Sequence, residues 1–132
     1  MKINNITGIN MASASSNTRY GKRDDSLLVS IEKGSTISGK FTNNSFKSAP
    51  VITAKAHLEK CSGKEIVLMI NAGNANAGTG KKGAKDVLSC CKSVGKEMGI
   101  DPESVLPFST GVIGEHLKTD EYIGAFVKAS KR

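Results

Sequence analysis

The chain contains few cysteine, histidine and aromatic residues, and this scarcity narrows the classes of site it can hold. Its 132 residues include three cysteines, two histidines and no tryptophan, and only 5% are aromatic. The odd cysteine count and the lack of a C-x-x-C spacing argue against a metal site built from thiolates. His57 and His116 also lack the spacing of metal ligands. We therefore expect no bound metal, reduced thiols and a cytoplasmic location.

Long hydrophobic runs are also lacking. The longest apolar run has five residues, Ile66–Ile70, whereas a membrane-spanning helix requires about 20. Residues 1–10 contain no apolar segment of the kind found in secretory signal peptides. We therefore expect neither a membrane partner nor secretion.

The charge of the chain is basic but dispersed. Lys and Arg number 19 against 12 Asp and Glu, which gives a formal net charge of +7. The longest basic clusters, Lys81–Lys82 and Lys131–Arg132, are not interleaved with aromatic residues. Because single-stranded nucleic acid is bound by basic grooves that also offer aromatic stacking surfaces, the pattern favours a solvated surface and no nucleic-acid partner.

The first half of the chain predicts a hairpin after an irregular entry. The length fits a single domain over residues 1–132. Residues 1–25 carry few large apolar groups, so we expect them to be irregular or weakly ordered unless another surface covers them. Ser26–Glu32 and Ser35–Phe41 are β-rich runs around a glycine-containing turn, which predicts a β-hairpin. Val51–Leu58 fits either a strand or a short helix.

The second half predicts a strand followed by a long helix. The aliphatic run in Glu65–Ile70 predicts a strand buried on both faces. A helix is predicted over Lys81–Met98, with Gly99 as its C-terminal cap and Cys90 on the flank of its apolar face. That face comprises the residues at three- and four-residue steps: Ala84, Val87, Leu88, Cys91, Val94 and Met98.

The C-terminal third predicts two more helical segments around a strand. Asp101-Pro102-Glu103 is typical of a capped helical turn. Val105–Ser109 is a short apolar run that predicts a strand. Thr119 or Asp120 is expected to cap a last helix, whose apolar face comprises Tyr122, Ala125, Phe126 and Ala129. The alternation of strands and helices predicts a mixed α/β fold.

Between the buried strand and the long helix lies Asn71–Gly83, NAGNANAGTGKKG, which has no bulky apolar or aromatic side chain before its lysines. Small residues and asparagines together indicate a packed, polar-lined junction. Gly78–Gly83 also matches the G-x-G-x-x-G pattern of dinucleotide sites. That pattern needs its first glycine at the turn leaving the strand, and Ala72–Ala77 intervene. A nucleotide- or phosphate-binding module using Gly78–Gly83 is the alternative function.

Two other groups of residues could carry chemistry. Ser109-Thr110-Gly111 places a hydroxyl beside a glycine amide, and two such donors can stabilise an oxyanion during acyl transfer. From these residues alone, an ordinary strand-to-turn transition is the simpler interpretation. Glu115 and His116 are adjacent, so their side chains point apart in most conformations, and we predict no catalytic triad there.

Two long motifs resemble the ornithine acetyltransferase family, which is also called glutamate N-acetyltransferase. They are NAGNANAGTG at Asn71–Gly80 and PFSTGVIGEHL at Pro107–Leu117. Lys47–Val51 and Phe41–Asn44 are similar to two further segments of that family. The order and spacing of these segments agree from about Leu27 to the C-terminus.

The resemblance implies an enzyme of arginine biosynthesis that moves an acetyl group from N-acetylornithine to glutamate, with acetyl-coenzyme A as a possible further substrate and no cofactor. It implies that Thr110 and Gly111 form the oxyanion hole. It also implies that a precursor cleaves itself, and that the resulting β chain carries a nucleophilic N-terminal threonine. The implied fold is a four-layer α-β-β-α sandwich in an α2β2 assembly, of which this chain would form the N-terminal, α-chain part.

The chain departs from the family pattern at three points. Ala72 and Gly78 stand where the family commonly has serine and cysteine. No segment up to Arg132 resembles the one that carries the nucleophilic threonine, so we expect the chain alone to be inactive. A fragment of a longer product is the first interpretation, followed by a separate subunit and an inactive relic. The family's substrate contacts also lie beyond Arg132, and the substrate-binding residues are unknown.

Overall fold

The computed structural model describes residues 5–132, which form a four-stranded sheet and three α-helices. The elements in chain order are β1 (Ile9–Ala14), β2 (Ser26–Ile31), α1 (Ala49–Leu58), β3 (Ile66–Asn74), α2 (Gly80–Met98), a 3-10 turn (Pro102–Ser104), β4 (Val105–Val112) and α3 (Thr119–Ser130). The predicted mixed α/β fold is confirmed. None of the helices in residues 5–132 has both the length and the apolar character that crossing a membrane requires.

The strands follow the chain across the sheet, in the order β1-β2-β3-β4. The first two pairings, β1 with β2 and β2 with β3, are antiparallel. β3 and β4 are parallel, and α2 lies in the connection between them. Since parallel neighbours end at the same edge of a sheet, the carboxyl ends of β3 and β4 lie side by side.

One face of the sheet packs against α2 and α3 and holds the main core. Leu28 on β2, Met69 on β3 and Val105 on β4 belong to this buried cluster. The predicted apolar face of the last helix is confirmed, since all four of its residues are buried: Tyr122, Ala125, Phe126 and Ala129. The predicted end of α2 is also confirmed, because Gly99 adopts the left-handed conformation with φ of 69°.

Within residues 5–132, the opposite face of the sheet is covered only at one end, where Ile66 and Leu106 pack with Cys61, Leu58 and Ile37. The remainder is apolar and partly exposed. We call this surface the open sheet face, and it comprises Leu27, Val29, Leu68, Ile70 and Phe108. The prediction that the strand over Glu65–Ile70 is buried on both faces is therefore wrong for Leu68 and Ile70, which are only half-buried.

The predicted β-hairpin is wrong. β2 pairs with β1 on one side and with β3 on the other, and Ser35–Phe41 forms no strand. The expectation of an irregular entry is correspondingly wrong for Ile9–Ala14. This strand has a weak sequence signal because its core-facing side chains are only the alanines Ala12 and Ala14. Residues 1–4 of the predicted irregular entry lie outside the described residues.

Several boundaries also differ from the predictions. Val51–Leu58, which fitted either a strand or a helix, lies in helix α1. Asp101 caps the 3-10 turn, as predicted, and its side chain accepts a hydrogen bond from the Glu103 N–H. Neither Thr119 nor Asp120 caps α3, whose N-cap position is Lys118. β4 continues past Ser109 to Val112, and β3 continues past Ile70 to Asn74.

The buried face of α2 is rotated relative to the prediction. Cys90, predicted on the flank, is 1% exposed, whereas Leu88, predicted in the core, is 41% exposed. Both α3 and the 3-10 turn pack against this helix. Its buried surface therefore extends further around the helix, to the side of Cys90, than it would if the helix packed against a sheet alone.

Candidate functional site

The site predicted from the family resemblance lies at the carboxyl end of β4. Thr110 pairs with Ala72 and Gly111 with Gly73 across the parallel strands. Thr110 and Gly111 are both exposed, so this strand end is open to solvent. Two potential donors therefore lie together at an accessible edge of the sheet.

Alternation along the strand assigns each residue of this end to one face. Val105 packs on the helix side and Leu106 on the opposite side. Since successive side chains of a strand point to opposite faces, Ser109 lies on the helix side. Thr110 lies on the same side as Phe108, on the edge of the open sheet face.

The backbone of β4 alternates in the same way within the plane of the sheet. The Val112 carbonyl accepts a hydrogen bond from the Ala75 N–H at 3.0 Å, so Val112 faces β3. The Val105 carbonyl faces the other way and lies 2.7 Å from Nδ1 of His57 on α1. Gly111 lies just before Val112 and has a φ of 129°, so it departs from this regular strand conformation.

Buried asparagines tie the ends of β3 and β4 together. Asn71 lies opposite Ser109, and its Oδ1 accepts a hydrogen bond from the Ser109 hydroxyl at 2.6 Å. Its Nδ2 donates to the Asn74 carbonyl at 2.9 Å. Asn74 in turn donates from Nδ2 to two carbonyls beyond β4, those of Glu115 at 3.1 Å and His116 at 3.2 Å.

Asn76 organises the turn between β3 and α2. It has a φ of 44°, in the left-handed region that asparagine tolerates better than most residues. Its Nδ2 donates to the Gly83 carbonyl at 2.9 Å, and its Oδ1 accepts from the Thr79 hydroxyl at 2.7 Å. The predicted packed, polar-lined junction is confirmed. A Cβ on Gly83 would overlap Thr79, so packing accounts for that glycine of the G-x-G-x-x-G pattern.

A cleft of about 330 Å³ lies beside this end of β3, and Gly73 lies at its wall. An ion pair between Arg19 and Glu115, 2.9 Å long, lies at the cleft. The Tyr122 hydroxyl donates to the Ala72 carbonyl at 2.8 Å. Glu115 therefore pairs with Arg19, and His116 is an exposed lining residue, so the two do not act as a dyad.

The sequence did not point to the individual roles of Asn71, Asn74 and Tyr122. The asparagines could have been singled out, because they recur within six residues of a strand-to-helix junction. Their partners Ser109, Glu115 and His116 lie about 40 residues away and could not be identified without the fold. Among residues 5–132, no three His, Cys, Asp or Glu side chains are arranged to hold a metal ion.

The family model described as the ArgJ family matches residues 10–132. Curated relatives carry the name arginine biosynthesis bifunctional protein ArgJ. The chain is 42% identical over 127 residues to the protein from Colwellia psychrerythraea, covering 89% of this chain. It is 43% identical over 123 residues to that from Neisseria meningitidis serogroup A, covering 93% of this chain. In both cases the chain spans 30% of the length of the relative.

Two solved structures have a similar fold. An ArgJ protein from Bacillus halodurans aligns with a TM-score of 0.83 and 26% identity, covering 92% of this chain and 63% of that one. An ornithine acetyltransferase from Mycobacterium tuberculosis, crystallised with ornithine, aligns with a TM-score of 0.86 and 25% identity. That alignment covers 96% of this chain and 67% of the other.

Proposed function

Since this chain belongs to the ArgJ family, we propose that it contributes the oxyanion-stabilising part of an acetyltransferase of arginine biosynthesis. The enzyme would move an acetyl group from N-acetylornithine to glutamate. Thr110 and Gly111 would donate hydrogen bonds to the acetyl oxygen. The observation that carries the proposal is the position of these two residues, adjacent and exposed at the end of β4.

The two donors would act on the charge that develops during acyl transfer. A threonine hydroxyl of a second chain attacks the acetyl carbon of N-acetylornithine, and its proton passes to a base such as its own α-amine. The carbonyl oxygen becomes an oxyanion, which the Thr110 hydroxyl and the Gly111 N–H stabilise. Collapse of this intermediate breaks the bond from the acetyl carbon to nitrogen, the base returns its proton to the departing amine of ornithine, and an acetyl ester of the threonine is left. The glutamate amine then attacks the ester and regenerates the threonine. Acetyl-coenzyme A would be an alternative donor for the same ester.

The nucleophile would come from a β chain that covers the open sheet face. The chain spans 30% of its curated relatives, so most of the family's length lies outside it. The open sheet face is apolar, and Phe108 on it is 44% exposed. A large apolar surface on a sheet is a typical site for packing against another layer. We propose that the β chain provides that layer and that two such pairs form an α2β2 assembly in the cytoplasm.

A chimera tests the role of the two donors. This chain would replace the matching region of the Neisseria meningitidis relative, which supplies the segments beyond it. Transfer from N-acetylornithine to glutamate is then measured for the unmutated chimera, for Thr110→Ala and for Thr110→Ser. Loss of an oxyanion donor lowers kcat by about 10²–10³-fold. We expect that loss in Thr110→Ala and a smaller one in Thr110→Ser, which keeps the hydroxyl.

Two results would contradict the proposal. One is a Thr110→Ala chimera whose turnover equals that of the unmutated chimera, since this would remove the hydroxyl from the reaction. The other is formation of N-acetylglutamate by the purified 132-residue chain alone, because the proposal assigns the nucleophile to a second chain. Thr110 is exposed, so its replacement is expected to change the free energy of unfolding by no more than about 0.5 kcal/mol.

A further inference from the structure

We infer that Asn74 is a positioning residue that holds the end of β4, and with it Thr110 and Gly111, in place. This inference rests on the proposed function, because it concerns the same two donors. Asn74 lies at the last position of β3 and is 7% exposed. Its side-chain hydrogen bonds go to backbone groups of the turn after β3 and of the segment that follows the donors, so any effect on the reaction would pass through the backbone it holds.

Every hydrogen-bonding group of the Asn74 side chain has a partner. The two Nδ2 contacts reach the successive carbonyls of Glu115 and His116, at 3.1 and 3.2 Å. Its Oδ1 accepts the Asn76 N–H at 2.8 Å. A single planar amide thus joins the end of β3, the turn after it and the segment that follows β4. Such buried, fully bonded amides restrict the backbone more strongly than exposed ones, because each lost bond leaves a buried polar group unpaired.

The donors lie between two anchored stretches of chain. Before them, the Ser109 hydroxyl is bonded to Asn71 at 2.6 Å. After them, three sets of hydrogen bonds hold the segment 112–116. The Val112 carbonyl accepts the Ala75 N–H, and the Gly114 N–H donates to the Ala77 carbonyl at 2.8 Å. Asn74 donates to the carbonyls of Glu115 and His116. Thr110 and Gly111 are themselves exposed. Their orientation therefore depends on these anchors together with the pairing of Thr110 with Ala72 and of Gly111 with Gly73. Asn74 supplies two of the anchoring bonds.

Hydrogen exchange of the 132-residue chain tests whether Asn74 holds the strand end. The variants are Asn74→Asp, which keeps the shape and the Oδ1 acceptor but loses both donors, and Asn74→Ser, which is smaller and carries no charge. We expect amides in residues 110–116 to exchange about tenfold faster in both variants, while those of α2 keep their rates. Asn44→Asp is the matched control, because Asn44 is exposed and its Oδ1 accepts the Phe46 N–H, an acceptor that aspartate retains.

Kinetics of the chimera test whether the hydrogen bonds of the Asn74 side chain matter for the reaction. A displacement of catalytic groups by about 1 Å can lower the rate by about 10²-fold. We expect kcat of the Asn74→Asp chimera to fall by about that factor, with KM within about twofold. A purely structural role would instead lower the amount of folded enzyme and leave kcat per folded molecule unchanged.

The outcomes separate this inference from the proposed function. Unchanged exchange in residues 110–116 of both folded variants would overturn the inference, and so would faster exchange with unchanged kcat. An unmutated chimera without activity would count against the proposed function, while the exchange rates would still decide whether Asn74 holds the strand end. The inference and the proposal are both supported if exchange accelerates and kcat falls together.

Discussion

Gly111 approaches Gly73 so closely that a Cβ atom on Gly111 would overlap the Gly73 carbonyl carbon. The same Cβ would lie 2.6 Å from the backbone nitrogen of Asn74. Gly111 also has a φ of 129°, which side chains of L-residues rarely permit. The end of β4 therefore requires glycine for two reasons, one steric and one conformational.

Alanine at position 111 should destabilise the fold, and alanine at position 114 separates the two reasons. Gly114 has a φ of 84°, and within residues 5–132 the space that its Cβ would enter is open to 4 Å, so Gly114→Ala tests backbone strain alone. Overpacking adds about 1–3 kcal/mol. We expect Gly111→Ala to lose that much more unfolding free energy than Gly114→Ala in urea denaturation. Equal losses of unfolding free energy in the two variants would show that the backbone of β3 accommodates the added Cβ at position 111 without an energetic cost.

Local patterns predicted the elements whose signals lie close together in the sequence. The three- and four-residue spacing of α2, its left-handed Gly99 and the Asp101 cap each depend on neighbours within one or two turns. The family resemblance was carried by two motifs, Asn71–Gly80 and Pro107–Leu117, and membership of the family is confirmed. These parts needed no knowledge of what packs against them.

The missed features all depend on contacts distant in the sequence. β1 is held by pairing with β2, and its small core-facing alanines gave no hydrophobic alternation. Ser35–Phe41 has the alternation of a strand, but the sheet positions next to β2 are taken by β1 and β3. The asparagine bonds between the ends of β3 and β4 connect residues about 40 apart. Their existence follows from the parallel register of the two strands and not from either motif alone.

Phe108 should drive self-association of the isolated chain. It is 44% exposed on the open sheet face, where its neighbours Leu27 and Ile70 are only half-buried. Because exposed apolar patches associate in water, we expect concentration-dependent oligomers in sedimentation velocity. Phe108→Glu should shift the chain toward monomer by placing a charge in that patch.

The control for this measurement is Phe46→Glu, since Phe46 is 72% exposed and lies in the loop before α1. The same change of charge and size is thereby made away from the open sheet face. We expect it to leave the oligomer distribution as in the unmutated chain. If both variants dissociate the oligomers to the same extent, net charge and not the open sheet face controls association.

The thiols should resist modification while the chain is folded. Burial raises the pKa of Cys90 to about 12, and the nearby Asp86 carboxylate acts in the same direction. Burial likewise raises the pKa of Cys91 to about 12. Since the thiolate is the reactive form, we expect labelling by a disulfide reagent at about pH 8 to be slow in buffer and complete in denaturant.

The same shifts predict a direction for stability at alkaline pH. The folded-state pKa values lie above the usual thiol value of 9.0, so the folded state retains these protons over a range where the unfolded state loses them. The contribution of the two thiols is complete below about pH 9 and is lost as the pH rises toward about 12. A folded chain in which Cys90 or Cys91 reacts at the rate of an unfolded thiol would contradict this account.

Removing the His57 imidazole should loosen the attachment of α1 to β4. His57 is buried, and its Nδ1 lies 2.7 Å from the Val105 carbonyl at the free edge of the sheet. Phenylalanine fills a similar volume but offers no hydrogen bond, so the buried carbonyl would lose this partner. Leaving a buried polar group unpaired costs about 1–3 kcal/mol. We expect that loss in the unfolding free energy of His57→Phe, measured in urea.

His116→Phe provides the matched control, because His116 is exposed and the chemical change is the same. Exposed substitutions usually change the free energy of unfolding by less than about 0.5 kcal/mol. The Cys91 thiol also lies 3.7 Å from the Val105 carbonyl, but a thiol is only a weak donor and cannot replace the imidazole. A His57→Phe variant as stable as His116→Phe would show that another group takes over this carbonyl, and that α1 is held to β4 by apolar packing alone.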